Sequence, residues 1–107
     1  MAENDKYIRL CKQIVLDKLD LDKYMVFLFG SRVHSYHRRF ADVDIGIQGK
    51  EPVPTVTIAS IKEAIDESIV PYQVDIVDFY QVSQEFRRVA MQNIEIWNQP
   101  ESHIHTS

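Results

Sequence analysis

Residues 25–47 read Met25-Val26-Phe27-Leu28-Phe29-Gly30-Ser31-Arg32-Val33-His34-Ser35-Tyr36-His37-Arg38-Arg39-Phe40-Ala41-Asp42-Val43-Asp44-Ile45-Gly46-Ile47. Met25 to Phe29 is apolar throughout and too short for a helix of ordinary length, which predicts a strand buried on both faces. It stops at Gly30-Ser31. The Ser31 hydroxyl can accept a backbone N–H that a first helical turn leaves unpaired, so a short helix is expected over residues 32–36. From Asp42 to Gln48 the chain alternates, with Asp42, Asp44 and Gly46 on one side and Val43, Ile45 and Ile47 on the other, the period of a second strand.

Outward from this stretch, Ile8, Cys11, Val15 and Leu19 repeat at three and four residues and predict an amphipathic helix over 3–20. Gly49 with Pro52 and Pro54 makes a loop. Ile58, Ile61, Ile65 and Ile69 then predict a helix that ends before Pro71. Tyr72 to Phe79 reads as a third strand, with Val74 and Ile76 facing away from Asp75 and Val77. Ser83 caps a last helix whose core side is Phe86, Val89, Ala90, Ile94 and Trp97. The expected order is α-β-α-β-α-β-α, an α/β domain over residues 1–98 with a small three-stranded mixed sheet flanked by helices, followed by a flexible tail at 99–107.

The 107 residues are 45% hydrophobic and 26% charged with a formal net charge of −4. That composition describes one ordinary globular domain, far short of the roughly 200 residues a β/α barrel needs. No run reaches the roughly 18 apolar residues of a membrane span, and the first residues lack the basic-then-apolar order of a signal peptide. A cytoplasmic protein with no membrane contact is expected. The lone cysteine, Cys11, sits among apolar neighbours and reads as a buried small hydrophobe. An acidic balance argues against direct binding along a nucleic-acid backbone, yet permits a single nucleotide carried with a metal.

Three carboxylates carry the chemistry. Asp42 and Asp44, two apart on a strand, point to one face, where they repel unless a cation sits between them. An oxygen-only ligand set of this kind suits Mg²⁺, and a third carboxylate on a neighbouring strand, Asp75, would complete a two-metal site. The alternative is that Asp42 caps its strand and Asp75 lies exposed at an edge. Gly30 lets a phosphate approach the backbone, and Ser31 adds a hydroxyl at a helix start that presents free N–H groups to an anion. Arg32, like Arg38 and Arg39, either contacts phosphate or a partner or is a solvated loop charge. His34 and His37 are three apart, with no third histidine or cysteine nearby to complete a metal site.

Phe-Gly-Ser-Arg-Val at 29–33, then Ala-Asp-Val-Asp-Ile-Gly-Ile at 41–47 and Val-Asp-Ile-Val-Asp-Phe at 74–79, resemble the nucleotidyltransferase signature of the DNA polymerase beta superfamily, and most of all its minimal nucleotidyltransferase (MNT) group. The resemblance covers roughly residues 20–98 and departs at His34-Ser35, where a glycine is usual. It implies that Gly30, Ser31 and Arg32 hold the triphosphate of ATP. It further implies that Asp42 and Asp44 bind Mg²⁺, and that Asp75 binds a second ion and helps deprotonate the acceptor hydroxyl. By the same resemblance the protein is the antitoxin of a pair, transferring AMP to a tyrosine of a helical HEPN-domain toxin. The alternative is a non-catalytic module of the same fold that silences its HEPN partner by masking it.

Overall fold

In the computed structural model the described residues are 5–30 and 43–98, so Ser31, Arg32, Asp42, the helix expected over 32–36 and the 99–107 tail lie outside them. Helix α1 spans Lys6–Asp17 and opens on Asp5, whose carboxylate accepts from the Tyr7 and Ile8 amides at 2.8 and 3.3 Å. Ile8, Cys11 and Val15 are its buried stripe, as the spacing predicts. The other Asp5 oxygen accepts from the Tyr72 hydroxyl at 2.5 Å, fastening the start of α1 to the lead-in of a strand 67 residues later.

Strand β1 (Met25–Phe29) lies inside the sheet, and β2 (Val43–Gln48) pairs with it antiparallel. Val43, Ile45 and Ile47 are buried without exception, which bears out the alternation. Helix α2 spans Thr55–Asp66 and buries Ile61 and Ile65. It stops sooner than the isoleucine repeat suggests, and Ile69 is 72% exposed. The cause is Ser68, whose hydroxyl donates to the Ile65 carbonyl and accepts from the Val70 amide, competing with the helix for both groups.

Strand β3 (Val74–Asp78) runs parallel to β2 with Asp44 opposite Asp75. Helix α3 is only Gln84–Ala90, capped by Ser83 through a 3.0 Å bond from the Phe86 amide. The expected core side of this last helix needs correcting. Phe86 and Val89 are 43% and 56% exposed, and Ile94 and Trp97 lie beyond the helix. Between those two, Glu95–Ile96 forms a strand, β4, antiparallel to β1. Among the described residues the sheet is therefore four-stranded, in the order β3-β2-β1-β4, where three strands were expected. Asn98 secures the last strand, its side chain accepting from the Val26 amide at 2.7 Å and donating to the Tyr24 carbonyl at 3.1 Å.

The sheet separates two cores. On one face α1 and α2 pack over Val26, Leu28, Val43, Ile45, Ile47 and Ile76. On the other, Phe27, Phe29 and Phe79 form an aromatic cluster against which Ala90 and Met91 pack.

Candidate active site

Residues paired across a sheet share a face, because side chains alternate along each strand in step. Phe29 pairs with Asp44 and Asp44 with Asp75, so the two carboxylates stand side by side on the aromatic face of the sheet. Asp44 is half-buried on the inner strand β2, and Asp75 is exposed on the edge strand β3. The edge position of Asp75 matches the alternative reading of its location, yet its register with Asp44 gives it the neighbour that the functional reading requires.

Beneath the pair the sheet is packed with rings. The Phe27 and Phe79 centroids are 4.9 Å apart and those of Phe29 and Phe79 are 5.1 Å apart, both edge-to-face. Gly46, two residues along from Asp44, has no room for a side chain because a Cβ there would run into the Phe27 and Phe79 rings. The carboxylates thus sit at the border of a rigid apolar floor, which fixes their backbone.

Gly30 closes the other side. It follows β1 directly, its φ is +81°, and a Cβ on it would collide with the Asp44 carboxylate. Only glycine gives both the left-handed backbone and the close approach. The chain therefore turns off β1 with bare backbone against the acid that the sequence singles out.

Two like charges placed opposite each other on neighbouring strands are destabilising unless something neutralises them. A divalent cation does so, and hard oxygen donors on adjacent strands fit Mg²⁺. Among the described residues no three His, Cys, Asp or Glu side chains converge. Asp42, the expected third carboxylate, lies outside those residues, as do Ser31 and Arg32 of the expected phosphate contacts. Asp78, the second acid of the Val-Asp-Ile-Val-Asp-Phe stretch, is not part of this face. It accepts from the Val53 amide at 3.0 Å and the Gln81 amide side chain at 2.8 Å, knitting two loops together.

A mixed sheet with an acid on β2 beside an acid on β3, and a glycine elbow after β1, defines a nucleotidyl-transfer scaffold. The chain belongs to the polymerase beta nucleotidyltransferase family, whose model matches residues 6–102. It is 36% identical over 66 residues to the probable protein adenylyltransferase MntA of Haemophilus influenzae, a match that covers 62% of this chain and 58% of that protein. The match therefore spans less than two thirds of the relative's length.

Solved structures share the fold at low identity. A crystal structure of a mutant MntA–HpeT toxin–antitoxin superposes with a TM-score of 0.71 at 14% identity, over 89% of this chain and 75% of the other. A toxin–antitoxin with AMP-PNP gives 0.68 at 16%, over 85% and 72%. The complex of a tri-AMPylated Shewanella oneidensis HEPN toxin with its MNT antitoxin gives 0.61 at 15%, over 89% and 75%. No described helix is long and apolar enough to cross a membrane.

Proposed function

We propose that this protein is a Mg²⁺-dependent adenylyltransferase that moves AMP from ATP to a tyrosine hydroxyl of a HEPN-domain partner, and thereby acts as an antitoxin. The observation that carries the reading is the register of Asp44 against Asp75 beside the Gly30 elbow. Support comes from the relative described as a protein adenylyltransferase and from the fold shared with an MNT antitoxin bound to an AMPylated toxin.

In this reading Asp44 and Asp75, with Asp42, would hold Mg²⁺, which when bound would offset the negative charge that grows on the α-phosphate and the leaving pyrophosphate. The chain's own residues do the rest. Gly30 leaves its backbone open to a phosphate, with Ser31 and Arg32 as further contacts. Asp75, at the solvent edge, takes the proton of the acceptor hydroxyl. The freed oxygen bonds to the α-phosphorus, the bond from that phosphorus to the bridging oxygen breaks, and pyrophosphate departs. Phe27, Phe29 and Phe79 keep the floor under the carboxylates rigid, so the reacting groups need little reorganisation.

Label transfer from α-³²P-ATP into the HEPN partner tests this. Wild type should label the partner with α-labelled and not γ-labelled ATP. Asp44→Asn should lower transfer by at least about a hundredfold, and Asp75→Asn should depress kcat more than the affinity for ATP. A folded Asp42→Asn/Asp44→Asn variant that still neutralises the partner would replace this reading with masking.

A further inference from the structure

Side chains two residues apart on a strand share a face and lie about 7 Å apart, so the floor of the site is laid out in rows. Phe29, Asp44 and Asp75 form the first, Phe27, Gly46 and Val77 the second, and Met25 with Gln48 the third. Helix α3 lies over this floor. Its Arg87 guanidinium donates to the Gln48 side-chain oxygen at 2.6 Å, in the third row. Its Phe86 ring reaches back towards the first row, 6.1 Å from the Phe29 ring and edge-to-face with it, and 5.7 Å from the Phe79 ring. Of these four rings Phe27, Phe29 and Phe79 are buried and Phe86 is the exposed one.

We propose that Phe86 is the platform on which the base of the nucleotide stacks when the phosphates occupy the carboxylate row. This rests on the transferase reading above and names the residue that holds the other end of the nucleotide. A nucleoside triphosphate placed at Asp44 and Asp75 by its α-phosphate carries its base one ribose away. On the same face, in contact with the Phe29 ring of that row, Phe86 presents aromatic surface to solvent. The tether decides what covers it, because the phosphate site delivers a flat aromatic group to that neighbourhood.

The polar side chains beside the ring are otherwise engaged. Glu85 and Arg88 pair with each other at 3.7 Å, and Arg87 is spent on Gln48. Phe86 therefore selects by ring area and not by hydrogen bonds to a base edge. Purines should be held more tightly than pyrimidines, with little choice between adenine and guanine.

Equilibrium binding with Mg²⁺, using ATP, CTP and inorganic triphosphate as probes, tests the proposal. Phe86→Ala should weaken ATP about tenfold and leave triphosphate within about twofold. Phe86→Leu keeps an apolar side chain against Phe29 and Phe79 but has no π face, so it should lose as much, whereas Phe86→Trp should match or exceed wild type. The preference for ATP over CTP should disappear in Phe86→Ala.

Phe86→Leu that binds ATP like wild type, or Phe86→Ala that weakens triphosphate as much as ATP, would reduce the ring to packing. Either result would overturn base stacking and leave the transferase reading standing. Unchanged ATP affinity in Phe86→Ala, together with weaker association with the HEPN partner, would assign α3 to that partner and overturn the proposal. Wild type that binds none of the three probes would overturn both readings.

Discussion

At the scale of single residues the site is defined by exclusion of side chains as much as by their presence. Gly30 combines φ +81° with contact against the Asp44 carboxylate, so Gly30→Ala meets two penalties together. The left-handed backbone alone costs about 1–2 kcal/mol in an alanine, and the clash displaces the Asp44 carboxylate. Urea unfolding should show a loss of at least that size, and label transfer should fall further than stability does. Gly30 and Asp44 were both legible in sequence, because a Gly-Ser ending an apolar run and an Asp-x-Asp on an alternating strand are local patterns. That the two touch was not legible, since contact between residues 14 apart depends on the pairing of β1 with β2.

At the scale of elements, the strands were read more accurately than the ends of the helices. Alternation in Val43–Ile47 survives into the structure because one face is sealed by aliphatic side chains and a one-residue slip would bury Asp44 among them. The helices fail at their C-termini. Ile69 continues the spacing of α2 but lies past Ser68, and Ile94 with Trp97 continues the spacing of α3 while belonging to the β4 region. A three-then-four rhythm cannot tell a longer helix from a short helix followed by a strand, and the deciding interaction, pairing of Glu95 and Ile96 with Leu28 and Phe27, joins residues 67 and 69 apart. The start of α3 read better, since its Ser83 cap is local, whereas the Asp5 cap of α1 was not singled out from sequence. Asp5 makes a sharper case because its carboxylate both caps α1 and receives the Tyr72 hydroxyl. Asp5→Ala should cost about 1–2 kcal/mol as a lost cap and more for the partner left behind, whereas Asp5→Asn should recover part of it. Chemical denaturation of the two variants measures the difference.

At the scale of the molecule, Tyr24 joins three distant segments. It is buried, its ring packs at Gly49, its hydroxyl donates to the Pro52 carbonyl at 3.2 Å, and its carbonyl receives Asn98. Burial raises the phenol above its ordinary value of 10.0, and the Glu51 carboxylate adds to the effect. A group whose folded pKa is raised contributes stability that is complete below its unfolded pKa and is lost as pH climbs through the folded one. Wild type should therefore lose stability relative to Tyr24→Phe as the solution passes about pH 10. Paired urea midpoints at neutral and alkaline pH check it, and parallel curves for the two proteins would contradict it.

The strand order also has a consequence for how the chain is made. Of the described strands Met25–Phe29 is the first to leave the ribosome, yet it lies inside the sheet and one of its two neighbours is the last of them, Glu95–Ile96. At roughly 5–20 residues per second, that neighbour follows roughly 3–13 s later. Throughout the interval an apolar, β-prone segment without a charge or a proline stands with one side unpaired, which is the pattern of a self-associating segment. Biogenesis, more than the finished fold, is where this protein has most need of a chaperone or of an early-binding partner.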